Sequence, residues 1–179
     1  GIKGCYSVFD EITSAGGGAG FGTNPGSSFP GDGGSGGAGV FNTAAGDGNT
    51  PPVDPPQGNP GGSGAAYPAL TASGGGGAGA PGGNGTPGAG GAGGAGVTSN
   101  ITNTPTQRAG GGGGGGAGST PSVLQANGAS GGSGLVVVRG PSTIGFSVSP
   151  GTNSVSTLPS PAGSYKVATF TVSGTLTIS

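Results

Sequence analysis

The sequence contains no histidine, tryptophan or methionine and only one cysteine, Cys5. Without histidine the chain has no imidazole for acid–base catalysis near neutral pH, and a single thiol cannot supply the ligands of a zinc site. One cysteine also excludes a disulfide within the chain. These absences remove the commonest catalytic and metal-binding chemistries, and we expect neither an enzyme activity nor a cofactor.

Charged residues are also scarce. Four basic and five acidic residues among 179 give a formal net charge of −1. A nucleic-acid-binding protein needs a basic face, which four basic residues cannot supply. No run of 18 apolar residues occurs, so we expect no insertion into a membrane. The remaining classes are structural, adhesive and protein-binding.

Two of the acids lie close enough in sequence to suggest a catalytic pair. Asp47 and Asp54 share one loop, and a pair of carboxylates can hydrolyse a glycoside. Each of them stands beside glycine or proline, in Gly46-Asp47-Gly48 and in Val53-Asp54-Pro55, which is typical of a solvated turn. We therefore expect no catalytic or metal-binding residue among them.

Glycine is what the chain has in excess, with 51 glycines and 16 prolines. From Gly76 to Gly94 glycine occupies every third position, and shorter runs repeat this period around Gly34, Gly61 and Gly131. A period of three matches an extended helix with three residues per turn, which makes no hydrogen bonds within itself. Its N–H and C=O groups must then pair with neighbouring segments, and glycine lets those neighbours approach.

The predicted fold is therefore mostly irregular and β: a bundle of short polyglycine-II helices with a small β portion formed by N- and C-terminal strands. We expect an N-terminal strand segment over 1–15 and the bundle with its loops over 16–134. A C-terminal β segment over 135–179 is either the start of a further module or an inter-subunit strand. The all-glycine run 110–116 would be a central helix packed on every side. Flexible linkers are the alternative, but the loops are too apolar for spacers.

Three stretches predict strands. The segment Y-S-V-F-D-E-I-T at 6–13 predicts one short strand, and L-V-V-V-R at 135–139 predicts a buried one. Residues 165–179 alternate almost perfectly, which predicts a single strand. One face of that strand is the candidate inter-subunit surface and carries Phe170, Val172, Leu176 and Ile178.

Several of these segments resemble a known family. G-A-S-G-G-S-G-L-V-V-V-R at 128–139 and V-T-S-N-I-T-N-T-P-T-Q-R-A-G-G-G-G-G-G-G at 97–116 resemble the glycine-rich domains of bacteriophage tail proteins. The final strand is similar to that family's F-T-x-x-G-x-x-x-I opening strand, although here it closes the chain. The architecture resembles the polyglycine-II adhesins of T-even-like long tail fibres, in which variable loops touch the host.

The resemblance implies a non-catalytic virion protein, structural and adhesive, located in the virion or outside the cell. It would be part of a phage tail fibre or appendage that contacts the host surface. Its partners would be copies of itself, as a trimer or a filament, and a host cell-surface glycan or outer-membrane protein. The candidate receptor-contact residues are the apolar loop residues Phe29, Phe41, Tyr67 and Leu70. The alternative role for these side chains is to cap the ends of the bundle.

Two other functions remain open. The chain could be a subunit of an extracellular filament, assembled head-to-tail through the C-terminal strand. The chain also resembles the polyglycine-helix antifreeze proteins of springtails, in the stretch G-A-P-G-G-N-G-T-P-G-A-G-G-A-G at 79–93. Those proteins are stapled by disulfides, which this chain lacks.

Overall fold

The computed structural model describes residues 2–20, 31–40, 43–66, 71–113, 134–159 and 163–179. These residues form nine short strands in small sheets, and no helix occurs among them. The irregular and β class and the small β portion therefore agree with the structure, whereas a bundle of helices is not among the assigned elements. The chain divides into two compact units. Unit 1 comprises Gly1–Val97 and Arg108–Gly131, and unit 2 comprises Thr98–Gln107 and Gly132–Ser179.

The N-terminal segment is a hairpin. Strand β1 (Ser7–Phe9) pairs antiparallel with β2 (Ile12–Ser14), in the register that sets Val8 opposite Thr13. The prediction of one strand over 6–13 was wrong because the chain turns at Asp10, whose φ is 53°. Aspartate is one of the few residues that tolerates this left-handed conformation, so the turn needs no glycine.

Burial in unit 1 follows the glycine period. In residues 33–40 the buried pairs are Gly33–Gly34, Gly36–Gly37 and Gly39–Val40, whereas Ser35 and Ala38 are partly exposed. The same alternation marks three further segments, where the more exposed positions recur three residues apart: Pro60, Ser63 and Ala66; Ala72, Gly75 and Ala78; Ala92 and Ala95. Two residues of each triplet therefore face neighbouring backbone and the third faces outward.

Backbone hydrogen bonds join these segments at the same three-residue step. The N–H groups of Gly36 and Gly39 donate to Asn59 O and Gly62 O at 3.0 and 3.1 Å. Both donors and acceptors advance by three residues, so segments 31–40 and 57–66 run in the same direction there. Because the contact is between main chains, the packing requires glycine rather than apolar side chains.

Segment 71–80 has the largest set of bonded neighbours among the described residues of unit 1. It makes backbone hydrogen bonds with segments 31–40, 57–66, 81–86, 89–96 and 109–113. The bonds to its first neighbour include Ser73 N to Gly39 O at 3.0 Å and Gly76 N to Gly36 O at 3.0 Å, which is an antiparallel arrangement. This segment is therefore the centre of the described backbone packing.

The all-glycine run is not that centre as far as it is described. Gly110 is exposed, and 111–113 are only half-buried. A Cβ at Gly113 would meet nothing within 4 Å, and one at Gly110 would meet its nearest atom at 3.6 Å. A Cβ at Gly111 would overlap Gly75 O, so the run is closely packed on one side there. The prediction that it is packed on every side is wrong for Gly110 and Gly113, and residues 114–116 lie outside the described part. Absence of side chains permits close packing but does not require it.

The long periodic stretch 76–96 is not one extended helix either. It turns back near Pro81 and again at Thr86–Ala89, where Thr86 and Ala89 exchange two backbone hydrogen bonds of 3.0 Å. Pro87 and Gly88 occupy the middle of this turn, and Gly88 has a φ of 87°. Proline followed by glycine with positive φ is the signature of a type II turn, which reverses the chain without interrupting the glycine period.

Unit 2 contains a three-stranded and a two-stranded sheet. The first has the order β5 (Val136–Pro141), β8 (Tyr165–Phe170) and β7 (Ser154–Thr157), and the second pairs β6 (Phe146–Ser149) with β9 (Thr175–Ile178). All these pairs are antiparallel. The core lies on the central strand β8, whose residues Val167 and Ala168 are buried. Leu158, which follows β7, is also buried. Strands β3 (Val97–Ser99) and β4 (Thr106–Arg108) form a separate pair.

The C-terminal stretch 165–179, predicted as one strand, is two strands that belong to different sheets. The break follows Phe170, where the Oδ1 atom of buried Asn153 accepts hydrogen bonds from Thr171 N at 3.1 Å and Val172 N at 3.3 Å. These two N–H groups therefore do not donate to a neighbouring strand, and the chain bends before β9 begins. Side-chain alternation continues through the bend, which is why the sequence pattern did not reveal it.

Candidate functional site

The four candidate receptor-contact residues, Phe29, Phe41, Tyr67 and Leu70, lie outside the described residues. The residues that flank them are described, and pairs of these flanking residues are bonded to each other. Gly31 N donates to Ala19 O at 2.8 Å, and Thr43 N donates to Val40 O at 2.9 Å. Each loop therefore starts and ends at backbone positions that are bonded to each other.

Further bonds bring the flanks of these loops to the same end of unit 1. Ala65 N donates to Thr71 O at 3.1 Å across the segment that carries Tyr67, and Val40 forms a β-bridge with Ala72. The flank of the loop at Phe41 is thus adjacent to the flank of the next loop. We call this region, where residues 19–20, 31, 40, 43, 65–66, 71 and 86–89 lie, the loop end.

Two buried hydroxyl residues fix the loop end. Thr71 and Ser73 are fully buried, at 0% exposure. Thr71 Oγ1 donates to Thr86 O at 3.1 Å, and Ser73 Oγ donates to Gly39 O at 2.8 Å and lies against Gly62 O. The Thr71 hydroxyl joins two segments and the Ser73 hydroxyl joins three, so these residues position the bases of the loops. Sequence reasoning missed both, because serine and threonine are abundant throughout the chain.

The opposite end of unit 1 carries the hairpin β1–β2 and the proline-rich loop 50–56. Asn49 organises this loop: its Oδ1 accepts from Val53 N at 3.2 Å and Gln57 N at 3.1 Å, and its Nδ2 donates to Val53 O at 3.1 Å. Gln57 Oε1 in turn accepts from Ala15 N at 2.5 Å, at the base of the hairpin. We call this region the hairpin end.

All five acidic residues of the chain lie in the segments of the hairpin end. Asp10 and Glu11 form the hairpin turn, and Asp54 lies in the proline-rich loop. Asp32 Oδ1 accepts from Asp47 N at 2.7 Å, so one carboxylate orders the backbone that leads into that loop. The five carboxyl-bearing residues are exposed, and no group of three metal-ligating side chains occurs among the described residues. Their geometry matches turn residues more closely than a catalytic pair.

Charge is thus distributed unevenly in unit 1. Between residues 15 and 97 the charged residues are Asp32, Asp47 and Asp54. None of them is among the residues of the loop end or in the stretches with the four candidate contact residues, although Asp32 directly follows Gly31. A ligand at the loop end would therefore meet apolar, amide and hydroxyl groups.

The candidate inter-subunit residues lie in unit 2 and are divided between its elements. Phe170 is the last residue of β8, which has a neighbouring strand on each side. It lies opposite Val136 of β5. Val172, 48% exposed, lies in the bend. Leu176 and Ile178 lie in β9, opposite Val148 and Phe146 respectively. Among the described strands β9 has a partner on one side only, and Ile178 is 62% exposed.

Comparison of this chain with protein-family models, with curated proteins and with solved structures finds no match. Among the described residues no helix has the length and apolar character needed to cross a membrane. The geometry described above is therefore what the functional argument rests on.

Proposed function

We propose that the chain is a non-catalytic structural and adhesive protein of a virion, part of a phage tail fibre or related appendage. In this proposal stacked polyglycine-II helices form a stiff scaffold that carries loops toward a host surface. The observation that supports it best is the backbone packing of unit 1. Its glycine-rich segments bond to one another at three-residue steps and leave no room for side chains between them.

The glycines of this scaffold lie where a side chain would overlap neighbouring backbone. A Cβ at Gly18, Gly36 or Gly74 would overlap a backbone oxygen of a neighbouring segment, at Gly31, Gly46 and Ala92 respectively. A helix with three residues per turn presents three faces, and glycine on two of them allows two such approaches. A core of this kind is stabilised by amide hydrogen bonds of about 0.5–1.5 kcal/mol net each, rather than by apolar burial.

The adhesive part of the proposal is supported by the loop end. The flanks of three apolar loops are held there by backbone bonds and by the buried hydroxyls of Thr71 and Ser73. Loops fixed on a rigid scaffold are the usual location of binding residues. We propose that Phe29, Phe41, Tyr67 and Leu70 contact a host cell-surface glycan or outer-membrane protein, because flat apolar side chains can dock on either. A location in the virion or outside the cell follows from this role.

Binding and stability assays on paired variants test the adhesive role. We would measure binding of the purified protein to an array of bacterial surface polysaccharides and to outer-membrane vesicles. The variant Phe41→Ser with Tyr67→Ser should lose binding while its Tm stays the same. Val53→Ser is the matched control, since Val53 is a 40% exposed apolar residue at the hairpin end. A lower Tm in the double variant would favour capping, and no binding by the unaltered protein would contradict adhesion.

A filament assembled through the C-terminal strand is supported by a shorter part of that stretch than the sequence predicts. Because β8 lies between β5 and β7, residues 165–170 have no free strand edge for another chain. The free side of β9, with Leu176 and Ile178, is the part of that stretch that could still add to a sheet. Removal of β9 should then dissociate any fibres seen by electron microscopy.

A further inference from the structure

The N-terminal hairpin exposes apolar side chains on both faces. Every residue from Ile2 to Ser14 is exposed, including four large apolar residues of the hairpin. Their exposed fractions are 56% for Tyr6, 64% for Val8, 40% for Phe9 and 70% for Ile12. A two-stranded hairpin without a covering layer is marginal in water, and clustered exposed apolar residues mark interaction surfaces.

Strand β5 offers a matching edge in unit 2. It is six residues long, and β8 is its one neighbour among the described strands. It begins with Val136, Val137 and Val138, and a β-branched edge strand is a template for pairing with another chain. The next residue, Arg139, is exposed, and its guanidinium lies 4.0 Å from the centre of the Tyr165 ring. Among the described residues this edge therefore has no strand partner, and it combines apolar side chains with a positive charge.

The charges of the two units are complementary. Unit 1 contains all five acids and two of the four basic residues, which gives it a formal charge of −3. Unit 2 contains Arg139 and Lys166 and no acid, which gives it +2, and the two values add to the net charge of −1. The turn of the hairpin consists of Asp10 and Glu11. Unit 1 of one copy would therefore attract unit 2 of another copy, whereas two copies of the same unit would repel each other.

We propose that the hairpin β1–β2 of one copy adds to the open edge of β5 in a second copy. The three-residue strands of the hairpin match the length of Val136–Val138, and in that register the acidic turn at Asp10 and Glu11 can lie beside Arg139. Main-chain hydrogen bonds supply the attraction, and the charge pairs select the partner unit. The contact is head-to-tail, so it closes into a ring or extends into a filament. This inference goes beyond the proposed scaffold and adhesive role and requires no receptor.

Sedimentation analysis of the full chain tests the proposal, at protein concentrations from about 1 µM to about 1 mM. We expect concentration-dependent self-association that weakens as salt is raised, because the charge pairs are exposed. Val8→Ser with Ile12→Ser should weaken association about tenfold or more, since these side chains would be buried in the contact. Val155→Ser is the control: Val155 is 36% exposed and lies in β7, which β8 separates from β5. Tm values of all variants check that they are folded.

Charge reversal separates this contact from nonspecific apolar association. Asp10→Lys with Glu11→Lys should weaken association, and adding Arg139→Glu to the same chain should restore part of it. A monomer at every concentration would overturn the proposal. So would association that the hairpin variants leave unchanged, or that Val155→Ser weakens equally. None of these three results bears on the scaffold, which is tested by glycine substitutions inside unit 1.

Discussion

Substituting alanine for Gly36 is the sharpest perturbation of the backbone packing. Gly36 is buried, its N–H donates to Asn59 O, and its O accepts from Gly76 N, both at 3.0 Å. A Cβ at this position would overlap Gly46 O and come within 3.0 Å of Asp47 C. The atoms in the way are backbone, so no side-chain rotation can relieve the overlap. The segments would have to separate.

The expected cost follows from those contacts. Separation from the Gly46–Asn49 stretch weakens two hydrogen bonds, Gly46 N to Gly37 O at 3.0 Å and Asn49 N to Gly34 O at 2.9 Å. Each is worth about 0.5–1.5 kcal/mol, and buried amide groups left partly unsatisfied cost about 1–3 kcal/mol more. Alanine also restricts the unfolded chain, which offsets about 0.4–1 kcal/mol. The net loss in the free energy of unfolding should be about 1–5 kcal/mol, with a central value of about 3 kcal/mol. With a Tm shift of about 4 °C per kcal/mol for a chain of this size, the Tm should fall by about 10 °C.

Scanning calorimetry of Gly36→Ala beside Gly17→Ala gives the comparison. Gly17 is exposed, and a Cβ there would meet nothing within 4 Å. Its replacement should be neutral or raise the Tm slightly, because only the unfolded-state term acts. If both variants unfolded at the same temperature, the close approach of backbones at Gly36 would be refuted, and with it the steric basis of the scaffold.

Three further predictions follow from other contacts. Asn49→Ala should destabilise the protein by about 2 kcal/mol, because two N–H groups lose their acceptor and Asn49 has a φ of 52°. Asn49→Gly relieves the backbone strain alone, so calorimetry of the pair separates the two causes, and equal Tm values would exclude strain. Asn153→Ala should destabilise unit 2 by about 2 kcal/mol and accelerate amide exchange at Thr171 and Val172; unchanged exchange would contradict the role of Asn153 in the bend. No thermal hysteresis is expected in ice-growth assays, and a measurable freezing gap would favour the ice-binding alternative over adhesion.

The glycine period predicted the kind of contact in unit 1 better than its arrangement. Residues 33–40 show the expected two buried positions per triplet, because the absence of a Cβ is a local property of the sequence. The path of the chain is not local. The turn at Pro87 and Gly88 preserves the period, so the count of glycines could not show that stretch 76–96 folds back.

The position of a strand was predicted correctly where β-branched residues are consecutive. It was predicted less well where the chain turns or bends at residues other than glycine. The run L-V-V-V-R coincides with most of β5, but the prediction that this strand is buried was wrong: Val136–Val138 are half-buried, and Leu135 and Arg139 are exposed. The hairpin turn at Asp10 and the bend after Phe170 were missed for one reason. Both depend on polar groups that compete for backbone conformation or hydrogen bonds, and the bend depends on Asn153, which lies 18 residues away from Thr171.

The candidate sites show the same division. The sequence alone placed apolar residues in loops between glycine segments, and the structure places the flanks of those loops at one end. It gave no sign of Thr71, Ser73 or Asn49, because a buried hydroxyl or an organising amide looks like any other polar residue in a chain so rich in them. Only the neighbours distinguish them.

The scarcity of apolar side chains inside unit 1 has a thermal consequence. Among the described residues, Val40 is the one large buried apolar side chain of that unit, so its unfolding exposes mainly peptide groups. Apolar exposure raises the heat capacity by about 0.45 cal/K/mol per Å² and polar exposure lowers it by about 0.26. The heat-capacity change per residue should therefore fall well below that of ordinary domains. The free energy of unfolding would then vary almost linearly with temperature and keep rising on cooling, so that unit 1 would resist cold denaturation.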